Sequence, residues 1–177
     1  MERKLLVYAL PFFALAIAVD FTIDWIQKSG RYKISDSISS LGAGFIGTAS
    51  GVLSAGVAIF FYSWVYDRFH FNVIDQSWPM WIAAAVFYDF LYYFYHRAHH
   101  RVNILWASHA THHNSEYFNF TTALRQSSLV FLTTWPFFLP MALLGFSFEQ
   151  YLFAAALSVI YGFFTHTEQL NYIPYVE

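Results

Sequence analysis

Asp89-Phe-Leu-Tyr-Tyr-Phe-Tyr-His96-Arg-Ala-His99-His100-Arg101-Val-Asn-Ile-Leu-Trp106-Ala-Ser-His109-Ala-Thr-His112-His113 holds six of the eight histidines of the chain. Its opening is apolar and aromatic, its continuation polar. His96 and His100 stand at i, i+4; His109, His112 and His113 stand at i, i+3, i+4. On a helix each set shares one face, because residues three or four apart are neighbours. His96 with His99, at i, i+3, satisfies the same rule, so spacing leaves His99 and His100 as alternatives. Neutral imidazole is a good ligand for iron, zinc, copper or nickel. Five rings on two adjacent helical segments exceed the four that close a structural zinc site. The number points to more than one metal.

The surroundings are those of a membrane protein. The 177 residues are 58% hydrophobic, 23% aromatic and only 11% charged, with a mean hydropathy of +0.42; soluble domains carry roughly 25% charged residues. A net charge of −2 gives no reason to expect nucleic acid as a partner. With no cysteine, disulfides, iron–sulfur clusters and thiolate metal sites are excluded. The apolar run after Lys4 is too long for the core of a signal peptide and has no small-residue cleavage pattern.

Outward from the histidines, residues 78–95 form an apolar run leading directly into His96. Before it, residues 5–26 and 38–65 read as two further spans, joined by a polar loop over 27–37. The second span carries Gly42, Gly44, Gly47, Gly51 and Gly56, small residues that let backbones approach closely. His70, in the turn over 67–77, has no spaced partner and reads as a loop histidine. After the histidine-rich segment 96–126, residues 127–164 read as a helical hairpin, with Pro136 and Pro140 breaking its first arm; a span needs ~20 residues, so the hairpin is not expected to cross fully. The expected architecture is all-α: a polytopic membrane helical bundle forming one domain over 1–177, with about three spans. With the N-terminus outside, six of the nine basic residues (Lys28, Arg31, Lys33, Arg97, Arg101 and Arg125) fall on the cytoplasmic side, against Arg3, Lys4 and Arg68 on the other. The positive-inside rule favours that orientation, which also places His96–His113 and His166 on one face.

Asp89 lies inside an apolar helix, where a carboxylate is costly and is functional or paired. It shares a stripe with Tyr92 or Tyr93, His96 and His100. Metal-bound imidazoles commonly donate their second N–H to a carboxylate, so Asp89 is a candidate for that role towards His96; a bond to a tyrosine hydroxyl or an arginine in the bundle is the equal alternative.

His96-x-x-x-His100 followed by Leu105-Trp106-x-x-His109-x-x-His112-His113 resembles the first two histidine boxes of the fatty acid hydroxylase/sterol desaturase superfamily. The continuation Thr111-His112-His113-Asn114-Ser115-Glu116-Tyr117-Phe118-Asn119-Phe120-Thr121-Thr122-Ala123-Leu124-Arg125-Gln126-Ser127, and the isolated His166-Thr167-Glu168, resemble the alkylglycerol monooxygenase branch. The resemblance implies that His96, His100, His109, His112, His113 and His166 ligate two iron ions at a cytoplasm-facing site that hydroxylates a lipid carbon with O2. In that branch the carbon adjoins an ether oxygen, the hemiacetal product falls apart to an aldehyde, and tetrahydrobiopterin supplies electrons; other branches use a cytochrome b5-type chain. Neutral ligands leave the iron charge unneutralised, which favours a bridging oxide or hydroxide and nearby carboxylates. Asp89, Glu116 and Glu168 are the acids at hand. Arg125 and Tyr117 are the residues expected near a polar head group or pterin, with a snorkelling arginine and ordinary aromatic packing as the plain alternatives.

The superfamily carries a further His-x-x-His-His box, and no histidine follows His166 here. The chain is therefore expected to be the N-terminal and central part of a longer protein, or a truncated form that alone is inactive. Three rival readings follow from the same residues: a sterol or fatty acid hydroxylase or desaturase on the same scaffold, a bis-histidine haem electron carrier, and a zinc protein, although no His-Glu-x-x-His is present.

Overall fold

The computed structural model describes residues 2–71 and 74–168, with side chains from Tyr8 onward. The basic pair Arg3 and Lys4 and the C-terminal Tyr-Ile-Pro-Tyr-Val-Glu lie outside the described side chains. Among the described residues the chain is all-helical: α1 (Glu2–Gln27), α2 (Ile34–Phe69), α3 (Trp78–Arg101), α4 (Asn103–His109), a 3-10 turn at His112–Asn114, α5 (Phe120–Ala123), α6 (Val130–Leu144) and α7 (Phe148–Phe164).

α1 and α2 are long and apolar enough to cross a membrane. At 1.5 Å per residue α2 is about 54 Å long, well beyond a hydrocarbon core of about 30 Å. Its surplus includes the first turn with Asp36, which the composition assigned to the loop before it. α3 likewise does not stop at Tyr95 but carries His96, His99 and His100 in its last two turns. The run ahead of His96 holds Asp89, two tryptophans and four tyrosines, and α3 is not among the helices of membrane-crossing composition.

The core lies between α2, α3, α6 and α7. Tyr62, Val65, Ala84, Tyr88, Leu91, Tyr95, Phe138, Met141, Ala142, Phe146 and Ala154 form one cluster. α1 joins through a second, smaller one, with Phe13 and Phe120 both stacked on Phe163. Pro136 and Pro140 sit inside α6 without ending it. The hairpin turn is set by Gly145 in the left-handed region (φ 98°), which suits glycine; a Cβ there would run into the Phe71 carbonyl. α7 opens with a capping box: Gln150 N–H donates to Ser147 Oγ at 3.3 Å, and Ser147 N–H donates to Gln150 Oε1 at 2.9 Å.

At one end of the bundle the turn after α1, the segment around α5 and the end of α7 are tied together. Arg31 Nε donates to Glu168 at 2.8 Å, and Asn119 Nδ2 donates to the Arg31 carbonyl at 2.7 Å. Thr167 Oγ1 donates to Asp20 at 3.0 Å, and Tyr32 O–H donates to the other oxygen of Asp20 at 2.6 Å. The polar turn, the second histidine group and His166 thus share one end.

Candidate metal centre

Ring nitrogens of His96, His100, His109 and His113 converge, all within 4.8 Å of one another. α3 supplies the first pair, one turn apart. Its helix ends at Arg101; Val102 is extended, and α4 then folds back against α3, with His109 as its last residue. The 3-10 turn that follows delivers His113. The Nε2 atoms of His96 and His100 are 3.0 Å apart, and those of His109 and His113 are 3.1 Å apart. Trp106 walls this group, its ring 5.7 Å from that of His113 and 5.5 Å from that of His100.

His112 faces a different way. Its Nε2 lies 3.2 Å from Nε2 of His166. In both rings Nδ1 points at a backbone carbonyl, Arg125 O at 2.9 Å and Gly162 O at 2.6 Å. A carbonyl only accepts, so each Nδ1 carries the proton and each Nε2 presents a lone pair. Phe118 stacks on His166, centroids 5.3 Å apart.

His99 belongs to neither group. It is fully buried, donates from Nδ1 to the Tyr95 carbonyl at 2.8 Å, and accepts at Nε2 from Thr133 Oγ1 at 2.9 Å. With both nitrogens engaged, it has no lone pair to offer.

Burial first, then the neighbouring imidazoles, pushes His96 down to about 4 and His109 down to about 3. Burial likewise lowers His99, His113 and His166. At neutral pH these rings are uncharged, the form that binds a metal. Two nitrogens each ~2.0–2.1 Å from one metal and at right angles to each other stand about 2.9 Å apart, close to all three Nε2 pairs. The donor set therefore fits a metal at each group. His96 Nδ1, on the far side of its ring, is buried without a hydrogen-bond partner.

Residues 81–177 match the family model for fatty acid hydroxylase. The chain belongs to the fatty acid hydroxylase family. It is similar to alkylglycerol monooxygenase of Danio rerio, 37% identical over 165 residues, covering 90% of this chain and 36% of that protein. For alkylglycerol monooxygenase of Homo sapiens the figures are 35% over 168 residues, 92% and 37%. For that of Caenorhabditis elegans they are 34% over 164 residues, 88% and 31%. The chain thus spans about a third of the length of these relatives. No solved structure matches it significantly.

Around the two histidine groups of this fatty acid hydroxylase chain run two cavities. Asp89, Tyr92, Tyr93, His96, Arg97, His112, His113, Ser158, Tyr161 and His166 are among the residues lining a cleft of about 520 Å³ between α3 and α7. That volume lies within the range of ~300–1,000 Å³ typical of ligand sites. On the other side of the His112–His166 pair, Glu116, Tyr117, Phe118 and Thr122 help to line a pocket of about 140 Å³, below that range.

The remaining residues singled out in the sequence fall unevenly. Asp89 is exposed and faces the cleft, but it is seven residues from His96, about 10 Å along the axis. That is too far for the expected bond, and His96 Nδ1 has no partner; the alternative bond from a tyrosine or arginine is not made either among the described residues. Glu116 is exposed at the smaller pocket, and Glu168 is paired with Arg31. Tyr117 borders only the smaller pocket. Arg125 is 8% exposed, turned inward, and lines neither of these two cavities. Arg125 Nε donates to the Thr111 carbonyl at 2.7 Å, and one terminal nitrogen donates to Ser40 Oγ at 3.2 Å. Sequence reasoning missed Asp36 and Asp20 as site-supporting residues, whose only local sign is a carboxylate towards the end of an apolar run.

Proposed function

We propose that the chain carries the histidine centre of a multi-pass membrane monooxygenase that hydroxylates a lipid carbon with O2, an ether lipid of the alkylglycerol type being its substrate. The observation that carries this reading is the convergence of six imidazoles in two adjoining groups, four in one and two in the other. Family membership and the name shared by the relatives support it. Two iron ions held by His96, His100, His109, His113, His112 and His166 would supply the O2 chemistry that breaks an unactivated C–H bond, which protein acids and bases do not.

The protein residues do the rest. The Nδ1 bonds of His112 and His166 fix ring orientation, and the buried rings stay neutral. The α3–α7 cleft, bordered by both groups, takes the lipid, with Arg97 and Tyr93 (2.6 Å apart, Nη1 to hydroxyl) offering polar contacts at its rim. The outer faces of α1 and α2, with Trp25, Phe45 and Leu53 exposed at 73%, 77% and 89%, contact lipid; an apolar surface of this extent is foreign to soluble monomers. The histidine end, which includes the basic turn at Lys28, Arg31 and Lys33, faces the cytoplasm.

The protein at its natural length, in detergent with iron(II) and O2, is expected to release a fatty aldehyde from a 1-O-alkylglycerol when tetrahydrobiopterin is added. Turnover of a sterol or fatty acid through a b5-type donor, without response to pterin, would overturn the ether-lipid assignment. A Soret band in the purified protein would overturn the non-haem centre.

A further inference from the structure

Arg125 reaches His112 from two directions. Its side chain donates to the Thr111 carbonyl, one residue before His112, and its own carbonyl accepts a hydrogen bond from His112 Nδ1. The guanidinium is buried and is met from α2 by Ser40, by Ser39 Oγ at 3.4 Å and by Asp36 Oδ1 at 3.9 Å. The other oxygen of Asp36 accepts from Ser115 Oγ at 2.7 Å, three residues after His112. α2 thus grips the second histidine segment directly at residues 115 and 125, and through Arg125 at residue 111, without contributing a ligand. Its backbone is shaped for the same contact. A Cβ on Gly44 would collide with the Leu124 carbonyl, and one on Gly47 would come within 2.9 Å of Gln126 Cβ, so two glycines seat the residues on either side of Arg125. Among the described residues, no hydrogen bond from α2 reaches His96, His100, His109 or His113.

We propose that Asp36 and Arg125 are the positioning pair for His112, setting the gap between His112 and His166, so that one of the two metal positions depends on α2 while the four-imidazole position does not. This rests on the metal-centre reading above. Arg125 needs its planar fork, because one side chain must donate to the Thr111 carbonyl and to the α2 hydroxyls at once; the compact ammonium of lysine keeps the charge but not that geometry. Asp36 supplies the counter-charge and the Ser115 anchor from one carboxylate. Outer partners that orient ligands typically change metal affinity by about 10–100-fold when removed.

The test is titration of the metal-free protein, at its natural length in detergent, with cobalt(II), reading two binding steps by absorbance and the thermal midpoint in parallel. Arg125→Lys is expected to weaken one step by about 10–100-fold and leave the other unchanged. Asp36→Asn, which keeps an acceptor for Ser115 but removes the charge facing Arg125, is expected to weaken the same step and decides the matter should Arg125→Lys not fold. Two unchanged steps would overturn the proposal. So would equal weakening of both steps together with a lowered midpoint, which is the mark of a general packing defect. A parent protein that binds no cobalt would instead overturn the metal centre itself.

Discussion

Gly44→Ala tests whether α2 is a seat for the histidine segment or only a membrane anchor. In an isolated helix interior, Gly→Ala stabilises by about 1 kcal/mol. At Gly44 the added methyl meets the Leu124 carbonyl oxygen, and the carbonyl carbon stands 3.1 Å away. These are backbone atoms of a segment already held at Thr111, Ser115 and Arg125, so it cannot swing aside as a flexible side chain would. Overpacking of this kind costs about 1–3 kcal/mol. Gly51 lies on the same helix, with nothing within 4 Å of its would-be Cβ, and keeps the helical gain of about 1 kcal/mol. The helical gain is common to both sites, so the two alanine variants should differ by the overpacking cost, about 1–3 kcal/mol. Gly47→Ala should fall between them, since its approach is less severe: Gln126 Cβ at 2.9 Å and the Gln126 carbonyl oxygen at 3.1 Å. Unfolding followed by tryptophan fluorescence in a fixed detergent gives the ranking. Equal stability of Gly44→Ala and Gly51→Ala would refute the close approach and with it the seat.

His99 and His100 should separate cleanly. His99→Ala removes two buried hydrogen bonds, to the Tyr95 carbonyl and to Thr133, and should cost about 1–3 kcal/mol while metal content is retained; His100→Ala, at an exposed ring, should leave the metal-free protein as stable as before and strip metal. Metal loss in His99→Ala with unchanged stability would reverse the assignment. Ser147→Ala removes one half of the α7 capping box and should cost about 0.5–2 kcal/mol in the same unfolding assay, with Ser147→Asp recovering most of it; no change would show that Gln150, anchored to the Asp75 carbonyl at 2.9 Å, holds that end unaided.

Much of the framework was legible because it is local. Apolar runs marked the helices, and the i, i+4 and i, i+3, i+4 spacings marked the ring faces. Two boundaries were misplaced for one reason: composition treats polar residues next to an apolar run as loop, whereas here they continue the helix and equip its end. That moved the start of α2 from Ile38 back to Ile34, taking in Asp36, and the end of α3 from Tyr95 to Arg101. Pro136 and Pro140 read as breaks, yet α6 runs through them, as apolar packing on α2 and α3 outweighs the lost backbone bonds. Ser147-x-x-Gln150 was readable as a capping box and went unread. His99 and His100 could not be told apart by spacing, since i+3 and i+4 share a face; what separates them is Thr133, 34 residues away.

The acids at the ends of the apolar helices carry the larger lesson. In the sequence Asp20 and Asp36 mark only where hydrophobic runs give out. In the structure Asp20 is 4% exposed and holds Thr167, the residue after His166, while Asp36 holds Ser115 and faces Arg125, on either side of His112. His112 and His166 are the rings that face each other. Their flanks are therefore held by two helices that supply no ligand, across separations of 147 and 79 residues. Local pattern cannot reveal a grip of that range. It follows that the two-imidazole group should be the more sensitive of the two to changes in α1 and α2, and the four-imidazole group, built on the continuous α3–α4 turn, the more self-sufficient.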